Sequence, residues 1–248
     1  MSLAFCLLVF SSVSYAQQPK TNARLVPGSA DVIHDVMGIA IGMACDEALA
    51  VAARISAMPT GPGRFPYGWQ KQTGVARLDG VRIEYPYTRY NVTLKLARNM
   101  GVDLAGFSCL EDGDRREVFD LLRRINFESG TETPPSIGSL RALFQEKYGV
   151  PSATFDPLSF ATIFNRRGMI QSTAKSCVSY ENGHLYHNAF LPFDADKCSY
   201  ALTFTAGQRA NVVTGIEINV HDYLRLENGV RAIVANRLQS TPVATPKL

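Results

Sequence analysis

The cysteines constrain this chain most. Cys45, Cys109, Cys177 and Cys198 all follow a leader, Met1 to Ala16, that carries no charge. At its centre Leu3-Ala4-Phe5-Cys6-Leu7-Leu8-Val9-Phe10 is a short apolar run, and Ser14-Tyr15-Ala16 sets small residues at the −3 and −1 positions of a cut before Gln17. That is the layout of a secretory signal, and the run is too short to span a bilayer. No Lys or Arg precedes it, so the natural start is expected upstream of Met1. Phe5 stands where a lipoprotein signal would carry a small residue, so Cys6 is expected to leave with the leader.

Four cysteines in an exported chain read as two disulfides, with three possible connectivities. The expected pairing is Cys45–Cys109 and Cys177–Cys198, which keeps each bond within one half of the chain. The rival is a zinc site built from Cys177, Cys198, His184 and His187, but no cysteine pair shows the spacing of a zinc knuckle. No metal and no cofactor is expected.

The hydrophobic content of 46% is ordinary for a globular protein, and the net charge of +3 is too mild to imply nucleic acid. Arg115-Arg116, Arg123-Arg124 and Arg166-Arg167 are doublets, not a basic block. Beyond residue 16 no apolar run approaches membrane-spanning length.

Residues 17–30 read as an unstructured lead-in and 31–130 as a first α+β module. Ala44 to Ile55 is rich in helix formers, with Leu49, Ala52, Ala53 and Ser56 on one face and Asp46 and Glu47 near the N-terminus, where the helix dipole favours negative charge. Gly74–Leu78 and Val81–Tyr85 alternate in period two about Asp79-Gly80, a strong hairpin signal, and Tyr90–Leu96 alternates again. By spacing alone Val118–Phe127 suits a helix.

Thr131 to Pro135 reads as a linker, and 136–240 as a second α+β module. Ser136 can cap a helix with Ile137, Leu140 and Phe144 on one face, Leu143 beside them and Gly149 as its C′ residue. Strands are expected over 158–164, 176–180, 199–205 and 212–220. A terminal helix is expected over 224–238, with Leu226, Val230, Ile233, Val234 and Arg237 at helical intervals despite Gly229. The tail, 241–248, reads as disordered. Each half is thus a helix followed by antiparallel strands, an α+β chain of two small modules with helices on one face of each sheet.

Two phrases carry a resemblance. Gly38-Ile39-Ala40-Ile41-Gly42-Met43, followed by Asp46-Glu47-Ala48, resembles the opening of modules similar to the small outer-membrane-assembly lipoproteins (BamE, SmpA/OmlA) and to the β-lactamase-inhibitor-like fold. Leu143-Phe144-Gln145-Glu146-Lys147-Tyr148-Gly149-Val150-Pro151-Ser152 resembles a phrase of uncharacterised proteobacterial envelope proteins, in which a preceding Arg-containing strand is common. The resemblance implies a short helix pair on an antiparallel sheet and turns Val118–Phe127 towards strand. Ala44-Cys45 replaces the family's small hydroxyl residue, so the N-cap is lost and the disulfide is expected to do part of the holding.

No catalytic set emerges. Gly-x-Ser-x-Gly is absent and no glycine loop is built to hold phosphate. His34 reads as a turn residue, and His184 and His187 follow a hairpin tip at Tyr180-Glu181-Asn182-Gly183 and read as surface loop. His221-Asp222 invites a general-base reading, yet Asp222 is better explained as an N-cap. The aromatic group around Tyr67, Trp69, Tyr87 and Tyr90 reads as core or hairpin packing, or as an exposed recognition surface. The leading expectation is a periplasmic or secreted binding protein whose partner is another envelope protein. The rival is a secreted hydrolase using His184, His187 and His221.

Overall fold

The computed structural model describes residues 35–57, 66–94, 100–111, 116–127, 135–165, 167, 178–181, 184–187, 198–209 and 212–240. The fold is mixed α+β. In chain order it runs β1 (Asp35–Val36), β2 (Ile39–Ala40), α1 (Cys45–Ile55), β3 (Gly68–Leu78), β4 (Val81–Thr93), β5 (Met100–Leu110) and β6 (Val118–Phe127). Then follow α2 (Ile137–Tyr148), β7 (Ala153–Asp156), β8 (Ser159–Phe164), β9 (Val178–Glu181), β10 (His184–His187), β11 (Tyr200–Arg209), β12 (Val212–Asp222) and α3 (Tyr223–Ser240). The leader, the lead-in, the linker centre, Cys177 and the tail lie outside the described residues.

Eight strands form one antiparallel sheet in the order β3-β4-β5-β6-β12-β11-β8-β7. The sequence suggests a sheet for each half, but β6 and β12 pair across the halves from Gly215↔Asn126 to His221↔Asp120. Neither strand is then an edge, which satisfies backbone groups that a separate sheet would leave open. Each half thus runs along the chain from an edge of the sheet to its centre, β3 to β6 and β7 to β12.

The alternation of each strand divides the sheet into two faces. Val92, Phe107, Leu121, Val220, Leu202 and Phe204 lie on the face covered by α1 and α2, all buried in one cluster. Phe144 of α2 sets its ring edge-on to Phe160 and Phe204, at 4.9 and 5.8 Å between centroids, while those two stack at 4.6 Å. On the opposite face Leu226, Val230 and Ile233 of α3 pack on Ala76, Leu78, Tyr85, Leu110 and Phe119. The helices therefore sandwich the sheet rather than sharing one face. At Gly229 the backbone of α3 packs directly on Leu110, and a Cβ there would stand 2.1 Å from Leu110 Cδ1.

Local signals explain most boundaries. Asp79 and Gly80 both have positive φ, 51° and 84°, as a type I′ turn demands. Ser136 accepts from the Ser139 N–H at 3.1 Å, and Gly149 ends α2 at φ 84°. Val118–Phe127 is a strand, as its neighbours in the sheet require.

Helix α1 has no side-chain cap at Ala44. Its first residue is instead bonded covalently: Cys45 and Cys109 form a disulfide with a Cα–Cα distance of 6.2 Å, both cysteines buried. Anchored there, α1 turns Cys45, Ala48, Val51 and Ala52 to the sheet. Ser56 is buried with them, but Ala53, expected on that face, is exposed and Leu49 is only partly covered.

The bond closes a separation of 64 residues. Replacing both cysteines, Cys45→Ala with Cys109→Ala, is expected to lower stability by about 4 kcal/mol in urea unfolding. Circular dichroism should show helix lost before strand, because α1 then has neither cap nor tether.

Candidate functional site

The polar residues that the alternation would leave on the α3 face form a row across the sheet. Arg89 on β4 stands opposite Ser108 on β5, Ser108 opposite Asp120 on β6, and Asp120 opposite His221 on β12. Ser108 Oγ donates to Asp120 Oδ2 at 3.2 Å, and His221 Nδ1 lies 3.2 Å from Asp120 Oδ1. With Asp120 ionised, the Nδ1–H donates. The His221 ring packs against Tyr223 at 4.2 Å and edge-on to Phe119 at 5.7 Å. Ser108 and His221 are buried. Burial raises the Tyr85 and Tyr87 phenols above their ordinary value, and the negative charge of Asp120 adds to it.

The order of this cluster decides its chemistry. A serine nucleophile needs a histidine nitrogen between its hydroxyl and the acid, so that the ring can take the proton. Here the carboxylate lies between. Ser108 gives its hydrogen to Asp120 Oδ2, and His221 Nδ1 meets the other oxygen of the same carboxylate. These contacts tie β5 and β6 to β12.

Asp222 follows in the chain and starts α3. Its Oδ1 accepts from the Arg225 N–H at 2.8 Å, so it is an N-cap, as the sequence suggests. Arg225 also pairs with Glu117 at the start of β6. The Arg225 guanidinium lies over Gly42, where a Cβ would meet its Nη2 at 2.8 Å. Burial raises the Asp222 carboxyl, opposed by Arg225 and His221.

On the α1/α2 face, Arg123 makes a bidentate pair with Asp103, Nε to Oδ1 at 3.0 Å and Nη2 to Oδ2 at 2.5 Å. On the α3 face, Arg124 reaches Glu217 across the β6–β12 seam at 2.8 Å.

The expected aromatic surface divides. Tyr90 is buried and stacks on Phe107 at 4.9 Å, with Tyr67 edge-on to it at 5.7 Å. Tyr87 lies on the opposite face, donating to Gln72 and edge-on to Phe119. Trp69 alone is well exposed, at 52%. The four do not make one surface, because β4 alternates between Tyr87 and Tyr90.

Cys198 is disulfide-bonded, which removes it as a thiolate ligand for zinc. Its expected partner Cys177 lies outside the described residues, as does His34. His184 and His187 end β10, in register with Glu181 and Val178. Among the described residues no three His, Cys, Asp or Glu gather as a metal site, and no helix is long and apolar enough to cross a membrane.

Sequence reasoning missed Ser108, Asp120 and the Asp103–Arg123 pair. A signal was present: Asp103 in Val102-Asp103-Leu104 and Asp120 in Phe119-Asp120-Leu121 are carboxylates inside apolar strand segments. Such groups enter a sheet only with partners. The partners come from other strands and cannot be read locally.

No family model, no curated protein and no solved structure matches this chain.

Two measurements probe this region. Asp222→Ala should cost about 1 kcal/mol of stability through the lost cap, whereas Asp222→Asn keeps an acceptor. Because the folded-state carboxyl is raised, its ionisation opposes folding: the wild-type protein should lose stability relative to Asp222→Asn as pH rises above 3.8. Urea midpoints at several pH values check both.

Proposed function

We propose that this chain is an exported α+β protein, stabilised by disulfides, that binds a partner in the cell envelope or outside the cell and performs no chemistry of its own. The observation that carries the reading is the arrangement around Asp120. The best-placed histidine among the described residues is spent on a carboxylate that already holds the nearest serine. A polar cluster of this kind orders a seam between strands and offers no nucleophile.

The compartment rests on different support. The buried Cys45–Cys109 bond holds an uncapped helix, an arrangement suited to an oxidising space. The charge-free apolar leader ending in Ser14-Tyr15-Ala16 provides the route there. The second bond in this reading is Cys177–Cys198.

The two halves are two α+β modules, 31–130 and 136–240, joined edge to edge. This agrees with the resemblance of the Gly38–Ala48 and Leu143–Ser152 phrases to envelope-protein modules. A sheet braced by helices on both faces is a rigid platform, and rigid platforms bind with little ordering cost. The expected partner is another envelope protein.

Intact mass of the protein purified from its own cells, without reductant, should give a chain beginning at Gln17 with all four remaining thiols blocked. An uncut leader with reactive sulfhydryls would remove the proposed compartment. Affinity capture with the tagged mature protein from its own envelope fraction should retain one partner at fixed stoichiometry. Turnover that His221→Ala abolishes, with folding intact, would instead favour an enzyme.

A further inference from the structure

Strand β3 forms one end of the eight-stranded sheet and, among the described residues, bonds to β4 alone. The hairpin dictates which of its backbone groups remain. A two-residue type I′ loop closes on a hydrogen-bonded pair, here Leu78↔Val81, and the ladder runs without a bulge to Gly68↔Asn91. Even-numbered residues of β3 therefore bond to β4. Trp69, Lys71, Thr73, Val75 and Arg77 direct their N–H and C=O groups away from the sheet. The parity is checked from the other side of β4, where the Glu111 N–H donates to the Pro86 carbonyl at 3.1 Å. Even residues of β4 thus turn to β5 and odd ones to β3.

Edge strands are usually short, bulged, or guarded by proline or by charged side chains, lysine above all. This one is eleven residues long, has no proline and has no bulge in its ladder. Its lysine, Lys71, is ion-paired within the chain to Glu111 at 3.3 Å. Its outward residues share the α1 face, and Trp69, Lys71, Thr73 and Arg77 are exposed. Trp69 is the single tryptophan of the chain. The strand carries two cations and no anion.

We infer that β3 is a self-association edge: two copies pair their β3 strands antiparallel about a twofold axis at Thr73, so that one sheet runs through both. A twofold interface must be self-complementary. Centring on Lys71 would set that ammonium against itself. Centring on Val75 would leave Trp69 without a β3 residue opposite it. Centring on Thr73 uses all five outward residues. It sets Thr73 opposite Thr73, Lys71 opposite Val75 and Trp69 opposite Arg77. The last pairing occurs twice and brings a guanidinium onto an indole on the same face, an attractive cation–π contact. This inference does not depend on the proposed compartment or on a partner protein.

Sedimentation velocity of the purified chain over a concentration series tests it, with tryptophan emission followed in parallel. The expected result is a monomer–dimer equilibrium in which emission shifts to the blue as dimer forms. Thr73→Pro removes the central outward N–H and leaves the β3–β4 ladder bonds in place, because that residue gives none to β4. It should be monomeric with a native circular dichroism spectrum, while Thr73→Val still dimerises. Trp69→Ala, which alters no backbone group, should raise the dimer Kd by about five- to thirty-fold. A monomer at every concentration overturns the inference. So does a dimer whose Kd is unchanged by Trp69→Ala and by Thr73→Pro, since its interface must lie elsewhere.

Discussion

The pairing of β6 with β12 is the constraint on which the rest of the structure depends. It joins residues 89 to 101 positions apart, in register from Gly215↔Asn126 to His221↔Asp120, and so makes one sheet from two halves. Ile218 comes beside Arg123 on one face, and Glu217 beside Arg124 on the other. The Asp120–His221 contact exists only because of this register. A slip of one residue would send Asp120 and His221 to opposite faces, together with every apolar neighbour.

The polar groups near the seam are arranged to remove the penalty of burying them. Asp120 is held by Ser108 and His221, Asp103 by both prongs of Arg123, and Asp222 by the Arg225 N–H. Each is a carboxylate with a partner from another strand or the next turn of helix. Leaving any one unpaired would cost several kcal/mol, so these contacts select the native register more than they add stability. Helix α1 shows the same economy by a different means: lacking a capping side chain, it is tethered through Cys45 to the end of β5.

Much of the local structure was legible. The Asp79-Gly80 turn, the Ser136 cap, the Gly149 terminus and the Asp222 cap depend on residues within a few positions of one another, and each is found where the sequence places it. The rotation of α1 was legible only in its charges. The run Ala48-Leu49-Ala50-Val51-Ala52-Ala53 is apolar on nearly every side and misleads on its own; Asp46, Glu47 and Arg54 share one side of the helix, which leaves Cys45, Ala48, Val51 and Ala52 to the sheet. Gly229 appeared as a flaw in the terminal helix until Leu110 supplied the reason for it. The aromatic group looked continuous in sequence, but strand alternation sends Tyr87 and Tyr90 to opposite faces.

By itself the sequence determined the hairpins, the helix ends, the alternating faces and the cysteine that could staple α1. All of these are set by dihedral preference, period and short-range hydrogen bonding, which act within a few residues. The tertiary structure alone decided that the halves share one sheet, that α3 crosses to the face opposite α1 and α2, and that Ser108 and His221 meet on the two oxygens of Asp120. Those outcomes come from pairings between distant strands, whose energies depend on which edges find each other and on no local signal.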